Sequence, residues 1–327
     1  MKRIFDLAKF VVSIVLLVLV LSRVDRQDLF NQMRAANLGW LALAQALFVL
    51  GVCLRVFRWR ALLVDRGLRV PVGVLTRLYF VGQFFNTFLP TGFGGDVVRA
   101  VELAQFGVSK AESISTVFLD RMSGLMAFFL MTLALLPFSG GLIPPQVTLV
   151  LIGFGAAGVI GTWLMFERRF TSPLMDRVFA RAQFPFKPKV LRLYESIRAN
   201  SPRATAQAML IGFLFNLLLV AATFVVSRAL GQEIALGYFF LFVPIISTLL
   251  LLPIGVNGLG VREWSYVVLF GGVGVSAESA TAMSLAFWGI TVVAGLIGGV
   301  LYAMQGAHGA LRVEREARGV ERRGGSA

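Results

Sequence analysis

Six uninterrupted apolar stretches run through this 327-residue chain. They cover residues 7–21, 40–57, 113–137, 147–166, 207–226 and 279–304. A helix of about 20 apolar residues crosses the hydrocarbon core of a bilayer, which is roughly 30 Å thick. Only 15% of the residues are charged, whereas a soluble domain carries about 25%. We therefore predict an all-α integral membrane protein with six transmembrane helices.

A motif recurs once in each half of the chain. Leu-Pro-x-Gly-x-x-Gly-x-x-Val-Arg occupies residues 89–99 and again residues 252–262. Proline and glycine break helices, and an arginine is costly near the membrane interior. Because each copy follows a shorter apolar segment, we predict two re-entrant helical hairpins, at residues 78–106 and 238–273. A Gly-Val-Ser sequence follows both, with Ser109 and Ser276 before the next helix.

The basic residues orient the predicted helices, since short loops rich in lysine and arginine face the cytoplasm. The stretch 55–77, which includes Arg55 and Arg58, the loop 167–206 and the tail 307–327 are strongly basic. We assign these segments and both termini to the cytoplasmic side of the plasma membrane, and residues 23–34 to an external loop. Each half then has three spans and a hairpin, an odd number of crossings. The halves 1–138 and 139–306 are therefore predicted to form an inverted-topology repeat.

Composition excludes several function classes. The formal net charge is +14, but the arginines cluster between apolar runs, so we expect no nucleic-acid partner. Cys53 and His308 are the only cysteine and histidine, which excludes disulfides, Cys/His metal sites and histidine-based triads. We expect no catalytic residue, no metal and no cofactor. The sequence has no phosphate-binding Walker loop.

The hairpins supply the candidate site. Irregular backbone at membrane depth is tolerated where it lines a cavity, so the two tips are expected to meet inside the protein. Asp96 and Asn257 are predicted to cap the returning helices, whose N-termini favour anions. Arg99 and Arg262 follow within about a turn, and arginine suits a lipid phosphate. The candidate pathway residues are Asn86, Pro90, Gly92, Gly94, Gly95, Asp96, Arg99, Glu102, Asp120, Arg121, Pro253, Asn257, Gly258, Gly260, Arg262 and Glu263.

Asp120 and Arg121 lie about 15 Å beyond the predicted start of their helix at Ser109. Adjacent residues on a helix do not face each other, so each needs its own partner. We predict that Asp120 or Arg121 pairs with Arg99, Asp96 or Glu102. The alternative is purely structural: Arg99 pairs with Glu102, Glu263 neutralises an arginine, and both hairpins are plugs.

Several of these motifs together resemble a known family. They are Asn86 to Pro90, Gly94-Gly95-Asp96 with Arg99, Asp120-Arg121, and Leu252 to Glu263. This set resembles the flippase-like transmembrane region of lysylphosphatidylglycerol synthases, whose free-standing relatives are also named dolichol-phosphate-glucose synthetase-like. The resemblance covers nearly the whole chain and implies movement of a lipid between leaflets. Gly255 stands where the family often has serine. The soluble aminoacyl-transfer domain has no counterpart here, so the resemblance implies no synthase activity.

The leading hypothesis is a flippase for an anionic or phosphate-bearing membrane lipid, with a central site formed by the two hairpins. The expected partner is that lipid. Two alternatives remain open: a membrane scaffold that assists a lipid or envelope biosynthesis enzyme, and an enzyme acting on a lipid-linked sugar or phosphate. In the enzyme hypothesis Asp96 or Asp120 would be the general base.

Overall fold

The computed structural model describes residues 15–20, 22, 24–89, 93–166, 195–196, 199–251 and 258–324, with backbone alone for 162–166 and 305–324. This described part is helical and contains no β-strand. Its helices are α1 Arg26–Arg34, α2 Leu38–Asp65, α3 Val72–Phe88, α4 Gly94–Gln105, α5 Lys110–Leu135, α6 Pro145–Phe166, α7 Pro202–Ala229, α8 Leu236–Leu249, α9 Val261–Gly271 and α10 Ala277–Gly324. A 3-10 turn, Leu136–Ser139, extends α5.

Within the described residues, four helical segments are long and apolar enough to cross a membrane. They are Leu38–Asp65, Lys110–Ser139, Pro202–Ala229 and Ala277–Met304, and they contain four of the six predicted spans. The described apolar part of α6, Pro145–Gly161, is shorter. Residues 1–14, most of the predicted first span, lie outside the described residues. These helices make the chain a multi-pass membrane protein.

The first predicted hairpin is formed by α3 and α4, which pack against each other in opposite directions. The Arg77 guanidinium lies 5.7 Å from the Phe106 ring at the open end. Near the tip, the Asn86 side chain accepts a hydrogen bond from the Gly95 N–H at 2.9 Å. The hairpin begins at Val72, earlier than predicted. Its tip, residues 90–92, lies outside the described residues.

The second hairpin, α8 and α9, is closed by aromatic packing. The rings of Phe239 and Phe242 each lie 5.1 Å from the Phe270 ring, and all three side chains are fully buried. Towards the tip, Leu250 lies beside Gly258. Helices α8 and α9 of the predicted segment 238–273 thus pack against each other, while residues 252–257, between them, lie outside the described residues.

Both halves present the same order of elements: a long helix, a helical hairpin and a second long helix. Thus α2 to α5 correspond to α7 to α10. The equivalent helices α2 and α7 pack against each other in opposite directions. Asn37 at the start of α2 donates its N–H to the Ala229 carbonyl at 2.8 Å, and Asp65 at its end accepts from the Ser201 N–H at 2.7 Å.

The packing between the halves is reciprocal. The first helix of hairpin one, α3, packs against α10, and the first helix of hairpin two, α8, packs against α5. Ser109 and Ser276 precede α5 and α10, and each accepts a hydrogen bond from the N–H three residues later. Because a serine at this position satisfies a free amide of the first turn, both helices start where the Gly-Val-Ser sequences predict.

Two boundary predictions are wrong. The expected loop at 23–34 contains α1, because the Asp25 carboxylate accepts from the N–H groups of Gln27 and Asp28 and caps a helix there. Helix α2 does not end near Phe57 but continues to Asp65. Arg58 is therefore buried inside a helix, with 4% of its surface exposed, rather than lying in a cytoplasmic loop.

Candidate functional site

Asp120, in the middle of α5, is the centre of a buried ion cluster. The Arg58 Nε donates to one carboxylate oxygen at 2.8 Å, and the Arg99 Nη2 donates to the other at 2.9 Å. The Tyr79 hydroxyl donates to the same carboxylate. Asp120 is 0% exposed, and four helices bring these groups together around its buried carboxylate. The predicted pairing of Asp120 with Arg99 is confirmed.

A second ion pair lies nearer the tip of the first hairpin. Arg121 donates to the Asp96 carboxylate, and Arg99 lies 3.4 Å from the other Asp96 oxygen. The Phe93 ring lies under the Arg121 guanidinium at 4.1 Å. Both partners are partly exposed, with 24% of the Arg121 side chain and 15% of the Asp96 side chain accessible. Asp120 and Arg121 thus have different partners, as their adjacency on one helix requires.

These charges line a cavity of about 270 Å³. Its wall carries four arginines and two carboxylates, namely Arg55, Arg58, Arg99, Arg121, Asp96 and Asp120. The formal charges leave an excess of two positive charges. Tyr79, Gln83 and Asn86 add polar groups to the same wall. A half-open cavity with uncompensated guanidinium groups attracts anions, because arginine presents a planar fork of donors to phosphate or carboxylate oxygens.

Arg55 and Arg99 retain unused donors. The Nε atoms of both are buried and have no hydrogen-bond partner in the described part of the chain. Arg55 donates to the Gln83 side chain at 3.2 Å and lies 4.6 Å from the Phe215 ring; none of the described ion pairs includes it. A buried donor without an acceptor is costly, so both arginines favour an incoming anion.

The returning helix α4 is capped differently from the prediction. Its N-cap residue is Phe93, and Asp96 lies within the first turn rather than at the cap. Asn86 reaches across from α3 and accepts the Gly95 N–H. This is possible because α3 and α4 touch at two glycines: a Cβ on Gly95 would lie 1.9 Å from the Gly82 carbonyl oxygen. Gly94 is less constrained, since its Cβ would lie 2.4 Å from the flexible end of the Leu89 side chain.

The second hairpin has a self-contained ion pair. The Arg262 Nη2 lies 2.8 Å from Glu263 Oε1, and the other Glu263 oxygen accepts the Gly260 N–H at 2.8 Å. Ser284 on α10 is hydrogen-bonded to both charged side chains. Gly258 and Gly260 have φ angles of 76° and 79°, which favour glycine. The expected neutralisation of an arginine by Glu263 is confirmed.

The predicted residues therefore separate into groups. Asn86, Asp96, Arg99, Asp120 and Arg121 come together around the cavity. No described residue of the second hairpin lines it. Glu102 is buried, 8% exposed, and forms no ion pair with Arg99 among those described, so that alternative pairing is wrong. Four predicted residues lie outside the described residues, namely Pro90, Gly92, Pro253 and Asn257. The predicted meeting of the two hairpin tips lies outside them as well.

The sequence prediction missed Arg55, Arg58, Trp59 and Tyr79 as site residues. Both arginines belong to the basic stretch 55–77, which the positive charge assigns to the cytoplasmic side, and the predicted span ends at residue 57. One signal was present: Arg55 and Arg58 are three residues apart and so share a helix face, and apolar residues resume after Arg60. The described residues contain no group of three His, Cys, Asp or Glu side chains that could hold a metal ion.

Fold and cavity together define a multi-pass helical membrane protein with a buried, arginine-rich cavity beside a helical hairpin. Residues 7–299 match the family described as "Lysylphosphatidylglycerol synthase TM region". The match spans most of the chain, and the protein belongs to this family. A comparison with curated proteins finds no match. The family indicates a function related to membrane lipids.

Proposed function

We propose that this protein moves an anionic lipid between the leaflets of the cytoplasmic membrane, with the phosphate of the headgroup bound in the arginine cavity. The main support for this proposal is the excess of positive charge around the arginine cavity beside the first hairpin. A charge at membrane depth is expensive and is retained mainly where it acts on a substrate or ion. Two of the four guanidinium groups have buried Nε atoms without a hydrogen-bond partner among the described residues, and we expect a headgroup phosphate to become their acceptor when these side chains turn towards the cavity.

The arrangement of the halves supports a transporter. The equivalent helices α2 and α7 run in opposite directions, and each hairpin packs on the last long helix of the other half. This is the arrangement expected of an inverted-topology repeat, in which one half lies upside down relative to the other. In transporters of that kind, access alternates by rocking or gating one repeat against the other. We propose the same for α2–α5 and α7–α10, with six spans and both termini in the cytoplasm.

The test is lipid movement in vesicles that contain the purified full chain. Phosphatidylglycerol and phosphatidylcholine, each with a fluorophore on one acyl chain, report the two headgroup classes, and dithionite bleaches the outer leaflet. We expect the anionic lipid to move faster. Arg55→Gln should slow it about tenfold or more, because a hydrogen bond to a charged group contributes about 1.5–3 kcal/mol and each 1.4 kcal/mol is about a factor of ten.

Arg60→Gln is the matched control, since Arg60 lies on the same helix, is exposed and does not line the cavity. It should leave movement unchanged. Equal rates for both headgroups, with Arg55→Gln as active as the native chain, would reject the anion site. Rates no faster than in protein-free vesicles would reject lipid movement and favour a scaffold. A chemically altered lipid recovered from the vesicles would favour an enzyme instead.

A further inference from the structure

An apolar groove of about 580 Å³ lies between α4 and α5, outside the arginine cavity. Its walls include Val97, Ala100 and Val101 from α4, and Ile114, Val117 and Phe118 from α5. Val97, Val101 and Ile114 are 61%, 57% and 49% exposed. No described helix covers these side chains, so the groove opens on the surroundings of the protein, which in a membrane are lipid.

The groove has polar groups only at its two ends. Lys110 lies at one end and the Asp96–Arg121 ion pair at the other. Asp96 and Arg121 also line the arginine cavity, so this pair is the common wall of an apolar site and an anion site. A molecule with a charged head and an apolar tail has matching surfaces on the two sides of that wall.

The length of the groove favours a hydrocarbon chain. Between Phe93 and Ala104 the groove follows eleven residue steps of α4, a length of about 16 Å. One leaflet contributes about half of the roughly 30 Å hydrocarbon core, which is a similar length.

We infer that this groove binds one hydrocarbon chain of the lipid whose headgroup enters the arginine cavity. The inference rests on the proposed function, because the cavity supplies the site for the headgroup. The chain remains in the groove, and the headgroup passes the Asp96–Arg121 ion pair. This assigns a binding role to Val97, Val101 and Ile114.

The test uses a phosphatidylglycerol that carries a photoreactive diazirine midway along one acyl chain. The full-length protein is reconstituted with this lipid, irradiated and digested, and the modified residues are identified by mass spectrometry. We expect adducts concentrated on the groove faces of α4 and α5. Ile114→Trp fills the groove and should reduce these adducts at least fivefold, and Val101→Trp, on the opposite wall, should do the same.

Leu130→Trp is the matched control, because Leu130 lies on α5, is 45% exposed and does not line the groove. It should leave the adducts unchanged. Adducts spread evenly over all lipid-facing helices and insensitive to Ile114→Trp would overturn the groove, even if the lipid still moves. Groove adducts that respond to Ile114→Trp in a protein that moves no lipid would uphold the groove and reject transport.

Discussion

In the first hairpin Arg99 reaches Asp120 on the following helix at 2.9 Å, whereas in the second hairpin Arg262 reaches its own neighbour Glu263 at 2.8 Å. The two arginines occupy the same position of one repeated motif. Around Arg99 stand three more arginines and two aspartates. Around Arg262 the contacts include one glutamate, Ser284 and, at 5.8 Å, the Trp288 ring.

The difference shows that two copies of one motif can have different surroundings. The second hairpin balances its charge locally and is held by the buried rings of Phe239, Phe242 and Phe270, which suits a fixed support. The first hairpin depends on residues distant in sequence and retains a positive excess, which suits a ligand. Sharing a motif therefore does not imply sharing a role.

The largest expected effect comes from Asp120→Asn. This change leaves Arg58 and Arg99 buried without their carboxylate, and breaking a buried ion pair costs about 3–5 kcal/mol. Glu263→Gln in the second hairpin leaves one arginine without its carboxylate, and the side chain of that arginine is already 12% exposed. The loss of unfolding free energy should therefore be smaller for Glu263→Gln. Thermal unfolding of the purified variants measures both. A lower unfolding midpoint for Glu263→Gln than for Asp120→Asn would contradict the proposed difference between the two hairpins.

The motif glycines Gly95 and Gly258 should respond differently to asparagine. Gly95→Asn forces a Cβ against the Gly82 backbone and should cost about 1–3 kcal/mol, as overpacking does. Gly258 needs a positive φ, which asparagine tolerates, and its nearest neighbour is the flexible end of Leu250. Gly73→Ala, in open space on α3, is the control and should be neutral. Similar losses at both motif positions would mean that the hairpins use these glycines alike.

A smaller effect is expected at the partly exposed Asp96–Arg121 pair. A double-mutant cycle with Asp96→Asn and Arg121→Gln should give a coupling energy of about 1 kcal/mol in unfolding. Arg121→Gln should also weaken the preference for anionic lipids, whereas Asp96→Asn should strengthen it, because the first removes and the second adds one net positive charge at the cavity wall. Arg262→Gln should change stability alone. A change of headgroup preference in Arg262→Gln would show that the second hairpin takes part in binding.

The smallest effect should follow Phe93→Leu, which removes the ring under the Arg121 guanidinium. Phe93 is 58% exposed, and a cation–π contact at an exposed site contributes about 0.5–1 kcal/mol. Phe138→Leu, at a 79% exposed ring beyond α5, provides the control for loss of an exposed aromatic. Equal unfolding midpoints for the two variants would show that the cation–π contact does not stabilise the protein.

The sequence predicted the helices well where apolar length alone decides them, as in α5 and α7. It also predicted that Asp120 or Arg121 pairs with Arg99, Asp96 or Glu102, because charges at that depth require counter-charges, but it did not predict the contacts of Asp120 with Arg58 and Tyr79. The resumption of apolar residues after Arg60 indicates that α2 continues past Phe57, but it does not show which residue neutralises Arg58. Arg58 stays in the helix because Asp120, far away in the sequence, neutralises it, and no local pattern reveals such a contact. The Asn86 cap was missed for the same reason, since it depends on Gly82 and Gly95 touching.

Trp59 gives the cavity an optical reporter. Its indole is completely buried, and the Arg99 guanidinium lies 4.2 Å from the ring, with Tyr79 on the same cation at 3.8 Å. An anion that binds Arg99 changes the electric field across the indole. In a variant whose other four tryptophans, Trp40, Trp163, Trp264 and Trp288, are replaced by phenylalanine, the wavelength and intensity of emission would therefore register occupancy. Headgroups could then be ranked by titration in detergent, without a bilayer and without a label on the lipid.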